Sequence, residues 1–242
     1  MAIDFYFASI CHPYSTPILR FYGWSPKCIS IGCHQRSDII NLSKLKQEGC
    51  DFVMRPTGGR AILHEAELTY SIITPKESIH HKDLYLFIHI VLSNALNRLG
   101  YPVEIKKDNE KLESLSHKPD DFPCFTKFAQ TEVQYKNKKL IGSAQKLYSN
   151  AILQHGSILI GKAHEKLTLY LNIEASERKK IQKELSEKTT CLNNIKKSDI
   201  SPELIMKTII NQLESMNNIS LNFVDLNENE LNTSEKYVQN FI

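Results

Sequence analysis

Two side chains in the middle of the chain, Cys124 and Lys139, are of the types from which nucleophilic catalysis is built. A thiol attacks only as thiolate, so it needs a neighbouring cation or base that lowers its pKa. Cys124 sits in Phe122-Pro123-Cys124-Phe125, where the proline gives a rigid, accessible placement. Lys139 opens Lys139-Leu140-Ile141-Gly142-Ser143-Ala144-Gln145, and a β-hairpin between the two stretches returns the amine beside the sulfur. The bland alternatives are a buried inert thiol and a solvated hairpin lysine. His64 and His155 are the other candidates for acid–base work or substrate orientation. His155, inside an apolar strand, also fits a satisfied core histidine, whereas His80, His81 and His117 stand in polar turns and carry no such signal.

A third feature is Arg55-Pro56-Thr57-Gly58-Gly59-Arg60-Ala61-Ile62-Leu63-His64, set between two apolar runs. Adjacent glycines let the backbone take positive φ and approach a ligand closely. Arg55 and Arg60 put a cation on either side, suited to a phosphate or carbonyl oxygen. Gly-Gly between strands is equally a hairpin signal.

These residues need strands to hold them, and the pattern supplies them. Ile18–Tyr22 and Cys28–Gly32 read as strands, with Gly23–Pro26 turning one back on the other. A short helix over Lys44–Glu48, capped by Asn41 or Ser43 and ended by Gly49, leads to the strand Phe52–Met54. Leu68–Ile73 is a strand, Asp83–Leu99 a helix closed by Gly100, and Pro102–Ile105 a short strand. The charged stretch Lys106–Asp121 reads as a loop. Thr131–Tyr135 and Lys139–Ile141 are strands about a Lys136–Lys138 turn; Gly142–Gln145 breaks the second, and Ala151–Ile160 returns. The Lys- and Glu-rich residues 177–180 are the solvated face of a helix. Ser201-Pro202 starts a helix, Ser220–Val224 is an edge strand, and a short helix follows Asn227. Strands first and helices last argue for an α+β fold.

The 242 residues, 41% hydrophobic and 24% charged, suit one large domain with at most a small appendage. A net charge of +3 is too weak to argue for nucleic acid but is compatible with an acidic protein partner. No signal peptide and no membrane-length apolar run is found, so a cytoplasmic protein is expected, with its six cysteines reduced. Cys28, Cys33 and His34 have no second ligand pair at zinc spacing, so no metal is expected.

The stretches 55–64, Glu67-Leu68-Thr69-Tyr70-Ser71, Pro123-Cys124-Phe125, 139–145 and 153–159, in that order, resemble the lipoate–protein ligase and octanoyltransferase family. That family shares its catalytic domain with biotin protein ligases. Within it the chain is most similar to the cysteine-dependent octanoyltransferases, which carry Gly-Gly-Arg in the first motif and Cys-Phe upstream of Gly-Ser-Ala-Gln. ATP-dependent ligases usually show Gly-Gly-Gly and lack that cysteine. The resemblance implies a mixed, largely antiparallel sheet flanked by helices, of the class II aminoacyl-tRNA synthetase-like type. It implies a catalytic domain over residues 1–190 and a short helical extension over 191–242 packed on it.

The implied chemistry is octanoyl transfer from octanoyl-acyl carrier protein, through a Cys124 thioester, to a lysine of a lipoyl domain. The acceptor would be a 2-oxoacid dehydrogenase or the glycine cleavage H protein. Lys139 would lower the Cys124 pKa and polarise the acyl carbonyl. Arg55, Thr57, Gly58, Gly59, Arg60 and His64 would line the acyl pocket, facing Gly142, Ser143 and Ala144, with His155 beside them. No cofactor is implied; the alternative on the same fold is a lipoate ligase using ATP and Mg2+, and a third is a non-catalytic lipoyl-domain-binding homologue. The pattern departs from the family where a first β-strand would precede Met1–Asp4, at Phe5 in place of an acidic residue, and at Glu65 in place of aspartate. The stretch after 190 is too short for the accessory domain that many ligases carry, which favours the transferase.

Overall fold

The computed structural model describes residues 1–107, 131–217 and 219–241. Cys124, His117 and most of the charged stretch lie outside the described residues. In order, the elements are α1 (Ala2–Ile10), β1 (Ile18–Tyr22), β2 (Cys28–Gly32), α2 (Leu42–Gln47), β3 (Asp51–Arg55), β4 (Ile62–His64) and β5 (Glu67–Pro75). Then follow α3 (His81–Arg98), β6 (Glu104–Lys107), β7 (Thr131–Tyr135), β8 (Lys138–Lys139), β9 (Ile141–Leu147) and β10 (Ala151–Leu159). After a 3-10 segment, Lys162–Tyr170, come α4 (Ala175–Lys188), α5 (Leu192–Lys196), α6 (Pro202–Asn217) and α7 (Glu228–Glu235). The fold is mixed α+β, as the pattern of strands and helices anticipates.

Among the described residues the strands form a sheet in the order β1-β5-β10-β9, a second in the order β3-β2-β4 and a third in the order β6-β7-β8. The first is antiparallel throughout, and β10 pairs along nearly its whole length with β5 on one side and β9 on the other. Both long strands are buried on both faces, because helices cover each side. On one side α3 lays Leu84, Ile88, Val91, Leu92 and Leu96 against Leu68, Tyr70, Ile152 and Ile158. Ile205, Ile209 and Leu213 of α6 join that core. On the other side Phe7 and Ala8 of α1 cover Ile73 and Leu153. Each large apolar side chain among them contributes about 1.5–3 kcal/mol by leaving water, and the methyl of Ala8 less.

Local signals explain the ends. Asn41 caps α2 by accepting from the Lys44 amide at 3.0 Å, and Gly49 closes it at φ +58°. Gly100 closes α3 at φ +77°. Asn227 and Glu230 form a reciprocal capping box on α7.

Several expectations are corrected. β1 and β2 do not form a hairpin: β1 pairs with β5, while β2 lies parallel to β3 and antiparallel to β4. The Gly58-Gly59 stretch is not a hairpin turn either, since β3 and β4 flank β2 from opposite sides and the loop between them must cross its end. Gly142–Gln145 does not break its strand but forms the body of β9. The break comes at Leu140, where the chain leaves the third sheet for the first. Residues 220–224 form no strand; Phe223 and Val224 stand exposed. His81 is the first residue of α3, not part of a turn.

Candidate active site

A narrow cavity of about 30 Å³, room for about one or two waters, opens where the second sheet meets the first. Its wall is drawn from Met1, β3 and β4 (Arg55, Ile62, His64), β5 (Thr69), β9 (Gly142–Ala144) and β10 (His155–Ser157). Register explains the assembly: Ala144, His155 and Ser71 stand abreast, as do Gly142, Ser157 and Thr69, on alternate rungs of one face. The row between them is Ser143, Gly156 and Tyr70. A Cβ on Gly156 would lie 2.7 Å from Gly142 O, from Ser143 Oγ and from Tyr70 Cε1, so only glycine fits there.

The loop from Pro56 to Ala61 is pinned against the end of β2. Gly59 takes φ +96°, and its carbonyl oxygen occupies the space a Cβ on Gly32 would fill, 2.1 Å from that position. Arg55 clamps the loop from inside. Its Nη2 donates to Arg60 O at 2.7 Å and to Gly58 O at 3.1 Å, and its Nη1 donates to Ser30 O and Oγ. Thr57 is fully buried, with Oγ1 2.7 Å from His155 Nε2. Of the loop residues expected at the site, Arg55 touches the cavity, Thr57 reaches it through His155, and Gly58, Gly59 and Arg60 shape the loop behind it.

His64 lies at the centre of a buried polar relay. Nδ1 is 2.8 Å from Glu67 Oε1, Nε2 is 2.7 Å from Ser30 Oγ, and the Trp24 ring stacks on the imidazole at 4.3 Å. The same Glu67 oxygen accepts from Thr69 Oγ1 at 2.6 Å and Ser157 Oγ at 2.7 Å. Burial opposes ionisation of Glu67, but the His64 charge and these hydrogen bonds outweigh it and hold the carboxyl below its usual range. Glu67 is therefore the acceptor and His64 Nδ1–H the donor. Behind this, Asp4 is fully buried between Arg20, Tyr22 and Ser71, accepting from Ser71 Oγ at 2.7 Å.

Ser143 marks the far wall. Its Oγ meets Tyr70 Oη at 2.7 Å and His89 Nε2 at 2.9 Å. His89 sits among the apolar residues of α3, and burial, with the nearby Lys139 charge adding to it, pushes its pKa down to about 3. Lys139 itself lies on β8, outside the cavity wall, its Nζ 2.5 Å from Glu132 Oε1 with both side chains buried. The structure thus gathers His64, Gly142, Ser143, Ala144 and His155 with Arg55, and sets Lys139 one step behind them near His89. Cys124 lies outside the described residues. Cys11, Cys28, Cys50 and Cys191 are buried packing residues, and burial pushes the Cys28 thiol well up and the Cys50 thiol to about 11.

Sequence reasoning assigned no role to Glu67, Ser30, Thr69, Ser157, Tyr70 or His89. A signal for three of them was present: Glu67, Thr69 and Ser71 alternate with apolar residues in β5, and His155 and Ser157 stand two apart on one face of the buried strand β10. Polar residues at period two in strands buried on both faces mark a wet seam inside the protein.

The sequence model described as the lipoyl protein ligase A/B catalytic domain matches residues 1–214. An octanoyltransferase LipM of Clostridioides difficile is 35% identical over 238 residues, 95% of this chain and 86% of its own length. The octanoyltransferase LipM of Bacillus subtilis is 31% identical over 223 residues, 89% and 80% of the two chains. Among solved structures, a bipartite lipoate protein ligase from Thermoplasma acidophilum superposes with a TM-score of 0.78 at 20% identity, covering 98% of this chain and 85% of that one, a likeness of fold. With the family model spanning most of the sequence and relatives above 30% identical along most of its length, the chain belongs to the lipoyl protein ligase A/B catalytic domain family.

Proposed function

We propose that this chain is an octanoyltransferase of protein lipoylation that carries the acyl group on Cys124. The observation that carries the reading is the set of octanoyltransferase relatives at 30–39% identity, whose matches span most of the chain in the majority of cases. The Cys124 thiolate attacks the thioester carbonyl of octanoyl-acyl carrier protein, a C–S bond forms, and the carrier thiol leaves with a proton. A neutral lysine amine of a lipoyl domain then attacks the Cys124 thioester, the C–N bond forms as the C–S bond breaks, the amine nitrogen gives up a proton to solvent, and the cysteine leaves as thiolate. The first step is nearly isoenergetic and the second runs downhill, so no nucleotide is needed. Lys139 supplies the cation that favours the thiolate and polarises the carbonyl. Residues 1–190 act as the catalytic domain and 191–242 as a helical extension packed on it. The reaction is assigned to the cytoplasm, where the thiol stays reduced.

The cavity is far smaller than an octanoyl chain, so binding displaces part of its wall. The test is intact mass after mixing with octanoyl-acyl carrier protein in the absence of ATP. An octanoyl adduct that maps to Cys124, and is absent from Cys124→Ala, is expected. Turnover that requires ATP and survives Cys124→Ala refutes the reading.

A further inference from the structure

His155 offers a hydrogen-bonding atom that the described residues leave unused. Its ring stands in the cavity wall and is 5% exposed, and its Nδ1 has no partner among the described residues. The other polar side chains on that wall are engaged among the described residues. Arg55 holds the loop and Ser30; His64 uses both nitrogens; Thr69 and Ser157 donate to Glu67; Ser143 meets Tyr70 and His89. A buried polar atom without a partner forfeits the hydrogen bond it made with water, so its survival needs a reason.

The tautomer follows from counting. Burial pushes the His155 pKa down to about 3, so the ring is neutral and one nitrogen carries a proton. With the proton on Nε2, the ring donates to Thr57 Oγ1, and two groups are left without a partner: the Thr57 hydroxyl hydrogen and the Nδ1 lone pair. With the proton on Nδ1, Thr57 donates to Nε2 and only Nδ1–H is left. The second arrangement leaves one unsatisfied group instead of two. The histidine in the cavity wall therefore carries a fixed neutral N–H donor, oriented by a threonine of the Gly58-Gly59 loop.

The ligand chemistry is equally restrictive. An octanoyl thioester has no hydrogen-bond donor, and its one strong acceptor is the carbonyl oxygen. We propose that His155 Nδ1–H donates to that carbonyl oxygen, in the bound thioester and in the oxyanion formed when a nucleophile adds to it, with Thr57 selecting the competent tautomer. A neutral donor is well suited here, because it stabilises developing negative charge without giving up a proton. The inference rests on the octanoyl-transfer reading and assigns His155 a role within it.

His155→Asn and His155→Gln separate the two contacts. An asparagine amide superposes on Nδ1 and a glutamine amide on Nε2. Losing an oxyanion donor lowers kcat by about 10²–10³-fold. His155→Gln, which keeps the Thr57 contact and loses the donor, is expected to lose about that much. His155→Asn is expected to stay within about tenfold of the parent. The opposite order, or equal losses, assigns His155 to tethering the loop and overturns the inference. A second measurement needs no His155 variant. In ¹⁵N-histidine-labelled Cys124→Ser protein, the His155 signals should show a protonated Nδ1 that moves on adding octanoyl-pantetheine. A proton on Nε2, or an Nδ1 that ignores the thioester, overturns the inference. A parent protein that moves no octanoyl group from octanoyl-acyl carrier protein to a lipoyl domain overturns the functional reading and the inference together; a fully active parent with an equally active His155→Gln overturns the inference alone.

Discussion

Gly32→Ala tests whether the loop from Pro56 to Ala61 is a rigid wall of the site or a compliant one. The new Cβ would lie 2.1 Å from Gly59 O and 3.0 Å from the carbonyl carbons of Gly58 and Gly59, all backbone atoms with no rotamer to escape into. Ordinary carbon–oxygen contact is about 3.3 Å, so the loop must retreat by about 1 Å. That retreat stretches Thr57 Oγ1–His155 Nε2 and Arg55 Nη2–Arg60 O, both 2.7 Å, to about 3.7 Å, beyond hydrogen-bonding range. Overpacking costs about 1–3 kcal/mol and each lost bond about 1 kcal/mol net. A total of about 3–5 kcal/mol is expected in urea unfolding, which an ordinary domain of about 5–15 kcal/mol generally survives folded. Activity should fall further than folding alone explains, because a 1 Å misplacement at a reacting centre costs about 10²-fold. The assay is octanoyl transfer to a lipoyl domain at saturating folded enzyme, beside the urea curve. A variant with parent-like transfer and an unfolding loss under about 1 kcal/mol would refute the idea that this loop is held by close backbone contact.

Three further outcomes follow from the buried polar groups and the glycine row. Burial holds His89, His155 and His164 at pKa values of about 3, 3 and 4, against about 6.5 unfolded. Folded values lie below unfolded ones, so stability is full above about pH 6.5 and is lost as pH falls toward 3–4; about 2 kcal/mol per histidine should be gone at pH 5, and an unchanged urea midpoint between pH 7 and 5 would contradict this. Glu67→Ala strands the donors on His64, Thr69 and Ser157 and should cost at least about 3 kcal/mol, while Glu67→Gln keeps the accepting oxygen and should recover more than half, as read by thermal unfolding. Gly156→Ala drives a methyl into Gly142, Ser143 and Tyr70 at 2.7 Å and should cost about 1–3 kcal/mol and most of the transfer activity; crystals showing an unmoved β9 would sink that expectation.

Much of this molecule is legible in its sequence because the signals are local. Apolar spacing and Gly100 define α3, the capping pair Asn227 and Glu230 defines α7, and Ser201-Pro202 defines the start of α6. What fails is pairing. Nothing in Gly23–Pro26 says that β1 will seek β5 across half the domain instead of β2 beside it, since strand partners are chosen by burial over the whole sheet. Residues 220–224 carry β-type side chains, but no neighbouring edge takes them up, and propensity without a partner makes no strand. The candidate site is half legible for the same reason. Its glycines and histidines stand out by type, whereas Glu67 and Ser30 matter only because β4 brings His64 between them.

The misplaced strand break shows how placement and chemistry are linked. Small residues at Gly142–Ala144 suggest an interruption, yet they are small so that β9 can run unbroken beside the glycine of β10 at the cavity wall. The true break is at Leu140, a fully buried apolar residue whose amide bonds Val133 O and whose carbonyl accepts from Leu159 N. It joins two sheets at one residue. On one side of it Lys139 stays on β8, ion-paired with Glu132; on the other Ile141 begins the strand that walls the cavity. The acidic partner fixes the ammonium in one sheet while the cavity wall formed by β9 and β10 belongs to another.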